Sequence, residues 1–146
     1  MDNKLKIATW YANRLHQRLP EWKTFLSINK IDIILVAETH LIDKNYTKIP
    51  FYNIYATNHL TGKARGGTGV IIKNDIKHFL QTSIAHMNIQ AILITINTTQ
   101  YKLTLAAVYC PLKQKFSLHQ FTNFFQSLRN KFIAGGDFNA KHALWG

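Results

Sequence analysis

The closing stretch of the chain decides how the rest is interpreted. It reads Phe132-Ile133-Ala134-Gly135-Gly136-Asp137-Phe138-Asn139-Ala140-Lys141-His142-Ala143-Leu144-Trp145-Gly146. Its apolar start predicts a buried strand, and its two glycines predict a turn that presents Asp137, Asn139 and His142. An acid on a loop after a strand is a common way to build a catalytic site, although an ordinary turn also favours Gly, Asp and Asn. The other strand ends must decide between these interpretations.

Length and composition limit the class of protein. The chain has 146 residues, enough for one domain or for part of a larger one, and it is 47% apolar, which excludes a disordered protein. No run approaches the roughly 20 apolar residues of a membrane helix, and the N-terminal residues lack the pattern of a signal peptide. The single cysteine, Cys110, excludes an intrachain disulfide, and its strand-like surroundings favour a buried structural thiol over a nucleophile.

The charge balance indicates a polyanionic partner. Lys and Arg number 18 against seven Asp and Glu, which gives a formal net charge of +11. This excess favours nucleic acid first and an anionic membrane surface second, while scattered charge on a basic protein is the alternative. A site built on carboxylates must therefore draw on a short set, namely Asp2, Glu21, Asp32, Glu38, Asp43, Asp75 and Asp137.

The N-terminal part of the chain predicts a strand, a helix and a second strand. Residues 5–10 alternate apolar and polar side chains, and the helix that follows has Pro20 in its first turn and ends near Lys30. The nearly continuous apolar run 31–37 is typical of a strand covered on both faces. This strand is followed directly by Glu38, an acid in the same position relative to its strand as Asp137.

The remainder is mostly β. A glycine-rich basic loop at 58–67, which contains Arg65, could bring backbone amides close to a phosphate, but it lacks phosphate-loop spacing and is equally a hairpin connection. A capping box formed by Ser117 and Gln120 begins the clearest helix. The strands predicted here are 52–57, 69–73, 91–96, 102–109 and 132–134, and the helix is 117–129.

Polar groups at four strand ends form an ordered set: Asn13, Glu38, Tyr109, and Asp137 with Asn139. This set resembles the endonuclease/exonuclease/phosphatase superfamily, and within it the apurinic-like endonuclease domain of non-LTR, jockey-like retrotransposons. The matching motifs are Leu5-Lys6-Ile7 with Trp10-Tyr11-Ala12-Asn13, Ile31-Asp32-Ile33-Ile34-Leu35 with Ala37-Glu38-Thr39-His40, Gly66-Gly67-Thr68-Gly69-Val70, Ala106-Ala107-Val108-Tyr109, and Gly136-Asp137-Phe138-Asn139-Ala140-Lys141-His142 with Trp145-Gly146.

The resemblance implies a fold and an activity. The fold would be a two-sheet, four-layer α/β sandwich, with residues 1–146 forming the N-terminal two-thirds or so of the domain and lacking its C-terminal strands. The activity would be Mg²⁺-dependent hydrolysis of DNA phosphodiester bonds, with Mn²⁺ as the substitute ion, in the target-site nicking of a retrotransposon. The implied partners are DNA and a reverse transcriptase domain of the full-length polyprotein, the implied place of action is the nucleus, and no membrane is involved.

The same resemblance implies a role for each residue. Glu38 would be the metal-binding carboxylate, with Asn13 assisting it. Tyr109 would orient the scissile phosphate, Asp137 would position or activate the attacking water, and Asn139 would bind the phosphate or its transition state. These roles suit Mg²⁺, which takes oxygen ligands and keeps several waters. The candidates for substrate binding are Arg65, Lys141 and His142, of which His142 is also expected to support its own loop.

The chain departs from the family pattern in two places. The usual Trp-Asn-x-Asn-Gly motif has Tyr11 at its first Asn and Arg14 at its Gly, and a phenol is a poor substitute for an amide at Mg²⁺. The C-terminal Ser-Asp-His motif, which carries the general-acid/base His, does not occur in these residues. From these departures we expect inefficient nicking by residues 1–146 and, because a sheet edge would be uncovered, marginal stability.

Two other functions stay open at this point. One is an inactive truncated remnant that retains nucleic-acid binding through its basic surface. The other is a lipid or inositol-phosphate phosphodiesterase of the same superfamily, which the Asn-Ala-Lys-His-x-x-Trp-Gly ending disfavours.

Overall fold

Two sheets lie face to face in the protein. The computed structural model describes residues 4–42, 47–63, 65–112, 117–129 and 131–140. Within these ranges the first sheet has the order β1-β2-β4-β3 and the second has the order β5-β6-β7-β8. The strands are β1 (Ile7–Tyr11), β2 (Ile33–Ala37), β3 (Tyr52–Thr57), β4 (Thr68–Lys73), β5 (His78–Ala85), β6 (Gln90–Asn97), β7 (Lys102–Tyr109) and β8 (Phe132–Asp137).

Two helices cover the outer faces. Helix α1 (Leu19–Asn29) follows a short 3₁₀ helix, Leu15–Arg18, and packs Trp22 and Leu26 against the first sheet. Helix α2 (Leu118–Ser127) packs Phe124, together with Leu128 just beyond it, against the second. Between the sheets lies an aliphatic core formed by Ile33, Leu35, Val70, Ile72, Ile92, Ile94, Ile96, Leu105 and Ala107. The layers are therefore helix, sheet, sheet, helix, which confirms the predicted two-sheet, four-layer α/β sandwich.

Strand direction decides where the polar strand ends meet. Strand β1 runs parallel to β2, with Tyr11 opposite Ala37, and β7 runs parallel to β8, with Tyr109 opposite Asp137. Across the core, β2 packs against β7 and β8. The carboxyl ends of both parallel pairs consequently lie at one end of the sandwich, which we call the carboxyl end.

Three details differ from the sequence-based expectations. The 3₁₀ helix Leu15–Arg18 was not expected before α1, whereas Pro20 lies in the first turn of α1 as predicted, where its missing N–H costs nothing. Strand β8 continues to Asp137, since Gly135 and Gly136 take part in its pairing with β7. Strand β5 was not predicted: its register shifts between Leu80 and Thr82, and such a bulge breaks the alternation that would have revealed it. No helix in the described part of the chain is long and apolar enough to cross a membrane.

Candidate active site

Glu38 stands directly after β2 at the carboxyl end. Its backbone is left-handed, with φ 52°, and its carbonyl accepts a hydrogen bond from the Arg14 amide at 3.2 Å. The turn is also bonded to the loop before β4, because the His40 amide donates to the Gly66 carbonyl at 2.9 Å. The side chain of Glu38 is only 15% exposed, and His40 Nε2 lies 3.5 Å from its Oε2. A short, well-braced turn therefore fixes this carboxylate.

Tyr11, the last residue of β1, points its phenol at this carboxylate. The Tyr11 hydroxyl donates a hydrogen bond to Glu38 Oε2. This bond raises the pKa of Tyr11 to about 12, with further contributions from burial and from the negative charges of Glu38 and Asp137. The phenol is therefore protonated at neutral pH and occupies one oxygen of Glu38.

Tyr109 ends β7 on the other sheet and faces the same carboxylates. Burial raises the pKa of its phenol, and a hydrogen bond to Glu38 and the charges of Glu38, Asp137 and Tyr11 raise it further. Because each phenol responds to both carboxylates, the four side chains form one electrostatically coupled group. A protonated Tyr109 is a hydrogen-bond donor at neutral pH.

Asp137 and Asn139 form a compact turn after β8. The Asn139 amide donates to Asp137 Oδ1 at 2.9 Å, and the Asn139 side-chain amide donates to the Cys110 carbonyl at 2.7 Å. The Cys110 amide in turn donates to the Asp137 carbonyl at 2.8 Å. Asn139 thus joins the end of β8 to the end of β7, and its amide carries a second N–H donor.

Cys110 itself is a structural residue of this turn. It is 3% exposed, and burial, followed by the charge of Asp137, raises the pKa of its thiol to about 11. A thiol in this state is a poor nucleophile, which agrees with the buried structural role predicted from the sequence.

A depression of about 400 Å³ opens beside Glu38 and Tyr109, and Arg65 and His59 form part of its wall. Burial lowers the pKa of His59, and the positive charges of Arg65 and Lys63 lower it further, so the imidazole is neutral at pH 7. Its Nδ1 accepts a hydrogen bond from the Thr61 amide at 3.2 Å. Among the described residues, the wall therefore offers the permanent cation of Arg65 and the neutral imidazole of His59 to a ligand, and His40 lies in the same wall.

Beneath the depression, Gln90 links the two sheets. It is fully buried, its Oε1 accepts from the Gly67 amide at 2.5 Å, and its backbone pairs with Tyr109. A Cβ on Gly66 would lie 2.8 Å from Gln90 Oε1 and 3.1 Å from the Tyr109 ring. Gln90 and the two glycines consequently set the position of the Tyr109 ring.

The predicted site residues do not all lie together. Glu38, Tyr109, Asp137 and Asn139 meet at the carboxyl end, with Arg65 in the adjacent wall. Asn13 lines a separate depression beside Arg14 and Glu21, under the start of α1. Its assignment as a metal ligand stays a prediction, and it gains no support from this placement. The other two predicted substrate-binding residues, Lys141 and His142, lie outside the described residues.

The oxygen donors at the carboxyl end suit a hard divalent cation. Glu38 and Asp137 are two carboxylates coupled through the same phenols. The described residues contain no group of three or more His, Cys, Asp or Glu side chains arranged to hold a metal ion, so a ligand-rich zinc-type site is not formed by them. Mg²⁺ needs only one or two carboxylates because it keeps most of its water. The donor set therefore fits Mg²⁺, with Glu38 offering the oxygen that Tyr11 does not occupy.

The sequence singled out Tyr11 as a departure at the metal position but did not predict its contact with Glu38, and it did not place Gln90 or His59 in the site. The contact of Tyr11 with Glu38 depends on the parallel pairing of β1 and β2, although the unusual Tyr at that motif position was a signal. Gln90 reads as an ordinary strand residue, and only its burial and its bond to Gly67 reveal its role. His59 was visible as part of a basic loop, but nothing in the spacing placed it beside Glu38.

Comparisons with known proteins identify the family of the chain. The sequence profile of the Endonuclease/Exonuclease/phosphatase family matches residues 9–146. The chain is 39% identical over 142 residues to the RNA-directed DNA polymerase from mobile element jockey of Drosophila funebris, covering 97% of this chain and 16% of that protein. It is 34% identical over 143 residues to the probable RNA-directed DNA polymerase from transposon X-element of Drosophila melanogaster, again covering 97% and 16%. The chain thus spans about one-sixth of the length of these curated relatives.

Solved structures share the fold. The endonuclease domain of TRAS1, a telomere-specific non-LTR retrotransposon, superposes with a TM-score of 0.74 at 19% identity, covering 97% of this chain and 64% of that one. An AP endonuclease from Archaeoglobus fulgidus gives a TM-score of 0.66 at 18% identity, covering 94% and 58%. These structural likenesses concern the fold, while the family profile and the sequence relatives concern ancestry. The chain belongs to the Endonuclease/Exonuclease/phosphatase family, and its sequence relatives include proteins of the mobile element jockey and of the transposon X-element.

Proposed function

We propose that this domain hydrolyses phosphodiester bonds in DNA with the help of Mg²⁺, as the target-site nicking activity of a retrotransposon protein. The observation that carries the proposal is the meeting of Glu38 and Asp137, from two different sheets, beside a protonated Tyr109. The net charge of +11 supports a polyanionic substrate, since it provides sequence-independent attraction to a DNA backbone.

Each side chain has a role in this proposal. Asp137, oriented by the Asn139 amide, positions the attacking water and accepts its proton. Tyr109 donates a hydrogen bond to a non-bridging phosphate oxygen, and Asn139 supplies a second donor. Arg65 attracts the phosphate into the depression. Glu38 holds Mg²⁺, which when bound supplies neutralisation of the charge that develops on the phosphate oxygens.

The wider context of the proposal comes from the sequence relatives, which are RNA-directed DNA polymerases. We propose that residues 1–146 belong to an endonuclease domain that acts in one polypeptide with a reverse transcriptase. Such a polypeptide would act in the nucleus, where its target DNA lies.

Nicking of supercoiled plasmid tests the proposal. Because residues 1–146 are expected to nick inefficiently, we expect slow Mg²⁺-dependent conversion to open circles at high protein concentration, lost on chelation and reduced about 10²–10³-fold in Asp137→Asn and in Glu38→Gln. Asp75→Asn removes an exposed carboxylate of a distant turn and should nick at the parental rate. Equal nicking by all four proteins would mean that a contaminant cuts the plasmid, and would overturn the proposal.

A second candidate is DNA binding without cleavage, and the Tyr11 contact favours it. Because the Tyr11 hydroxyl occupies Glu38 Oε2, the carboxylate has less capacity for a cation than a free one. This candidate predicts that the protein binds a duplex oligonucleotide but leaves the plasmid intact at any Mg²⁺ concentration. The same plasmid assay, run beside a binding measurement, separates the two functions.

A further inference from the structure

A second depression lies far from the carboxyl end. It has a volume of about 360 Å³ and opens on the outer face of the second sheet, where Thr95 and Thr104 form part of its floor. Helix α2 covers the neighbouring part of this face and stops short of the depression. Lys102 on its rim and Tyr109 at the carboxyl end stand at opposite ends of the eight-residue strand β7, so the two depressions are about 23 Å apart.

Three cations converge on this depression. Lys102 begins β7, while Arg129 and Lys131 lie in the connection between α2 and β8. The described residues that line the depression include no carboxylate. Arg129 has a left-handed backbone, with φ 68°, so the chain turns sharply at this point and brings both basic residues to the rim. A concave surface with three positive charges and no opposing charge suits an anionic ligand.

Two aromatic rings stand among these cations. Tyr101 is 41% exposed and Phe79 is 45% exposed. The Lys131 ammonium lies 4.0 Å from the centroid of the Tyr101 ring, a cation–π contact that holds both groups in place. An exposed ring beside an ammonium matches the two parts of a nucleotide, because the base can stack on the ring while the phosphate meets the cation.

The strand that carries Phe79 is distorted where it borders the depression. Leu80 pairs with Ile94 and Thr82 pairs with Leu93, so Gln81 is left outside the ladder as a bulge. The Thr95 hydroxyl donates to Gln81 Oε1 at 2.9 Å and turns this amide toward the depression. Bulges commonly re-aim a side chain next to a functional site.

We propose that this depression binds a single nucleic-acid strand at a site separate from the proposed active site. Phosphates lie against Lys102, Arg129 and Lys131, and unpaired bases stack on Tyr101 and Phe79. The aromatic rings favour a single strand over a duplex, because paired bases do not expose their faces. The proposal does not depend on cleavage at the carboxyl end.

Fluorescence anisotropy with a labelled single-stranded oligonucleotide, and with the duplex of the same sequence, tests the proposal in the absence of divalent ions. We expect Tyr101→Ala to weaken single-strand binding about tenfold and duplex binding much less. We expect Lys102→Ala/Lys131→Ala to reduce the slope of log K against log salt by about 1.4 for the single strand. Thermal unfolding of each variant checks that the fold is kept.

A matched pair of substitutions controls for charge. Lys23→Ala/Lys48→Ala removes two exposed lysines elsewhere and should leave the single-strand preference unchanged. Equal losses in the two double variants would show that only net charge matters and would overturn the proposal. Full competition by inorganic phosphate at the concentration of nucleotide units would also overturn it, because the site would then be a simple anion site.

Photocrosslinking locates the strand directly. An oligonucleotide that carries 5-iodouridine should crosslink to peptides containing Tyr101 or Phe79, and less so in Lys102→Ala/Lys131→Ala. Crosslinks confined to peptides around Glu38 and Tyr109 would place the strand at the carboxyl end and contradict the proposal.

Discussion

The Tyr11 hydroxyl donates to a Glu38 oxygen that a hard cation would also require. Hydrogen bonds to a charged group contribute roughly 1.5–3 kcal/mol, which is enough to compete with a weakly held Mg²⁺. A phenol whose pKa is about 12 does not become a ligand at neutral pH, so Tyr11 acts as a donor to the carboxylate. A single residue, Tyr11, would therefore lower the affinity of the proposed site for Mg²⁺.

Replacing Tyr11 tests this competition. We expect Tyr11→Asn to bind Mg²⁺ about tenfold more tightly than the parent protein, because the hydroxyl is removed and an amide oxygen is provided. Tyr11→Phe removes the hydroxyl without providing a ligand and should fall between the two. Calorimetric titration with MgCl₂ measures the three affinities, and identical values would mean that the phenol does not compete.

Sequence reasoning reached some of these residues and not others, for a physical reason. Glu38, Tyr109 and Asp137 each stand at a strand end, and the apolar run before each of them predicts where the strand ends. Gln90 and the Tyr11 contact depend on which strands become neighbours, and a single sequence does not show pairing. The structure brings the first three together, but the functional roles of all the predicted site residues remain predictions, namely Asn13, Glu38, Arg65, Tyr109, Asp137, Asn139, Lys141 and His142.

At the scale of elements, the loop between β3 and β4 depends on two glycines that face very different surroundings. Gly67 has φ +82°, and a Cβ there would lie 2.6 Å from Thr39 Oγ1 and 3.0 Å from the Thr57 carbonyl. Gly62 has φ +69°, but a Cβ there would meet nothing within 4 Å. A side chain at either position would be strained by the left-handed backbone, but only at Gly67 would it also clash with neighbouring atoms.

Alanine at each glycine separates the two effects. We expect Gly62→Ala to lower the free energy of unfolding by about 1–2 kcal/mol through left-handed strain alone. Gly67→Ala should lose roughly 1–3 kcal/mol more, because the clash displaces the hydrogen bond to Gln90. Urea unfolding of the two variants gives the comparison, and equal losses would show that the loop yields freely around Gly67.

Asp32 ties three strands together at the end of the first sheet remote from Glu38. Its Oδ2 accepts from the Lys6 amide at 2.8 Å, and its Oδ1 accepts from Lys73 Nζ at 2.7 Å. Burial opposes ionisation, but the two donors outweigh it and lower the pKa of Asp32. The same contact raises the pKa of Lys73.

These shifts define a pH dependence of stability. The contribution of Asp32 is complete above its unfolded pKa of about 3.9 and is lost as pH falls through the lower folded value. The contribution of Lys73 is complete below about 10.4 and is lost as pH rises through the higher folded value. We expect Asp32→Asn to cost roughly 1–2 kcal/mol at pH 7 and to flatten the acid limb of stability against pH. Urea unfolding from pH 3 to 7 measures how the free energy of unfolding falls with acid. As a control, Asp75→Asn replaces an exposed carboxyl and should leave this fall unchanged.

The sequence predicted the positions of most strands and helices, and the elements that it missed have local causes. Strands β3 and β7 have the predicted bounds, because each is a clear run ended by turn residues or Pro. The capping box of Ser117 and Gln120 starts α2 as predicted. Strand β5 was not predicted, because the bulge at Gln81 interrupts the alternation of side chains along the strand. Gln81 also lines the depression that we propose as a nucleic-acid site.

At the scale of the whole molecule, the two sheets approach closely at Gly135. A Cβ on Gly135 would run into the Thr9 methyl group and would lie 3.1 Å from Leu35 Cδ1, both on the opposite sheet. Thr9 stands two residues before Tyr11, and Gly135 stands two residues before Asp137. The contact therefore sits immediately below the place where the two halves of the proposed site face each other.

Alanine at Gly135 should push the sheets apart. We expect Gly135→Ala to lower the free energy of unfolding by roughly 1–3 kcal/mol, as overpacking does, and to reduce any Mg²⁺-dependent nicking. Thr9→Ala removes the methyl group that the new Cβ would meet, so the double variant should recover part of both losses. Urea unfolding and plasmid nicking of the three variants measure this. Simple additivity would show that Thr9 and Gly135 do not press on each other.

Because Gly135 has no side chain, the two sheets can approach closely beneath the proposed active site. The proposed metal-assisted hydrolysis would need its two carboxylates at a fixed separation, and Gly135 would help to set that separation without touching phosphate or ion. In a library selected for cleavage, this position should tolerate almost nothing, while selection for folding alone should admit small residues. If the two selections differ at position 135, activity depends on the spacing of the sheets there, although Gly135 is not itself one of the proposed site residues.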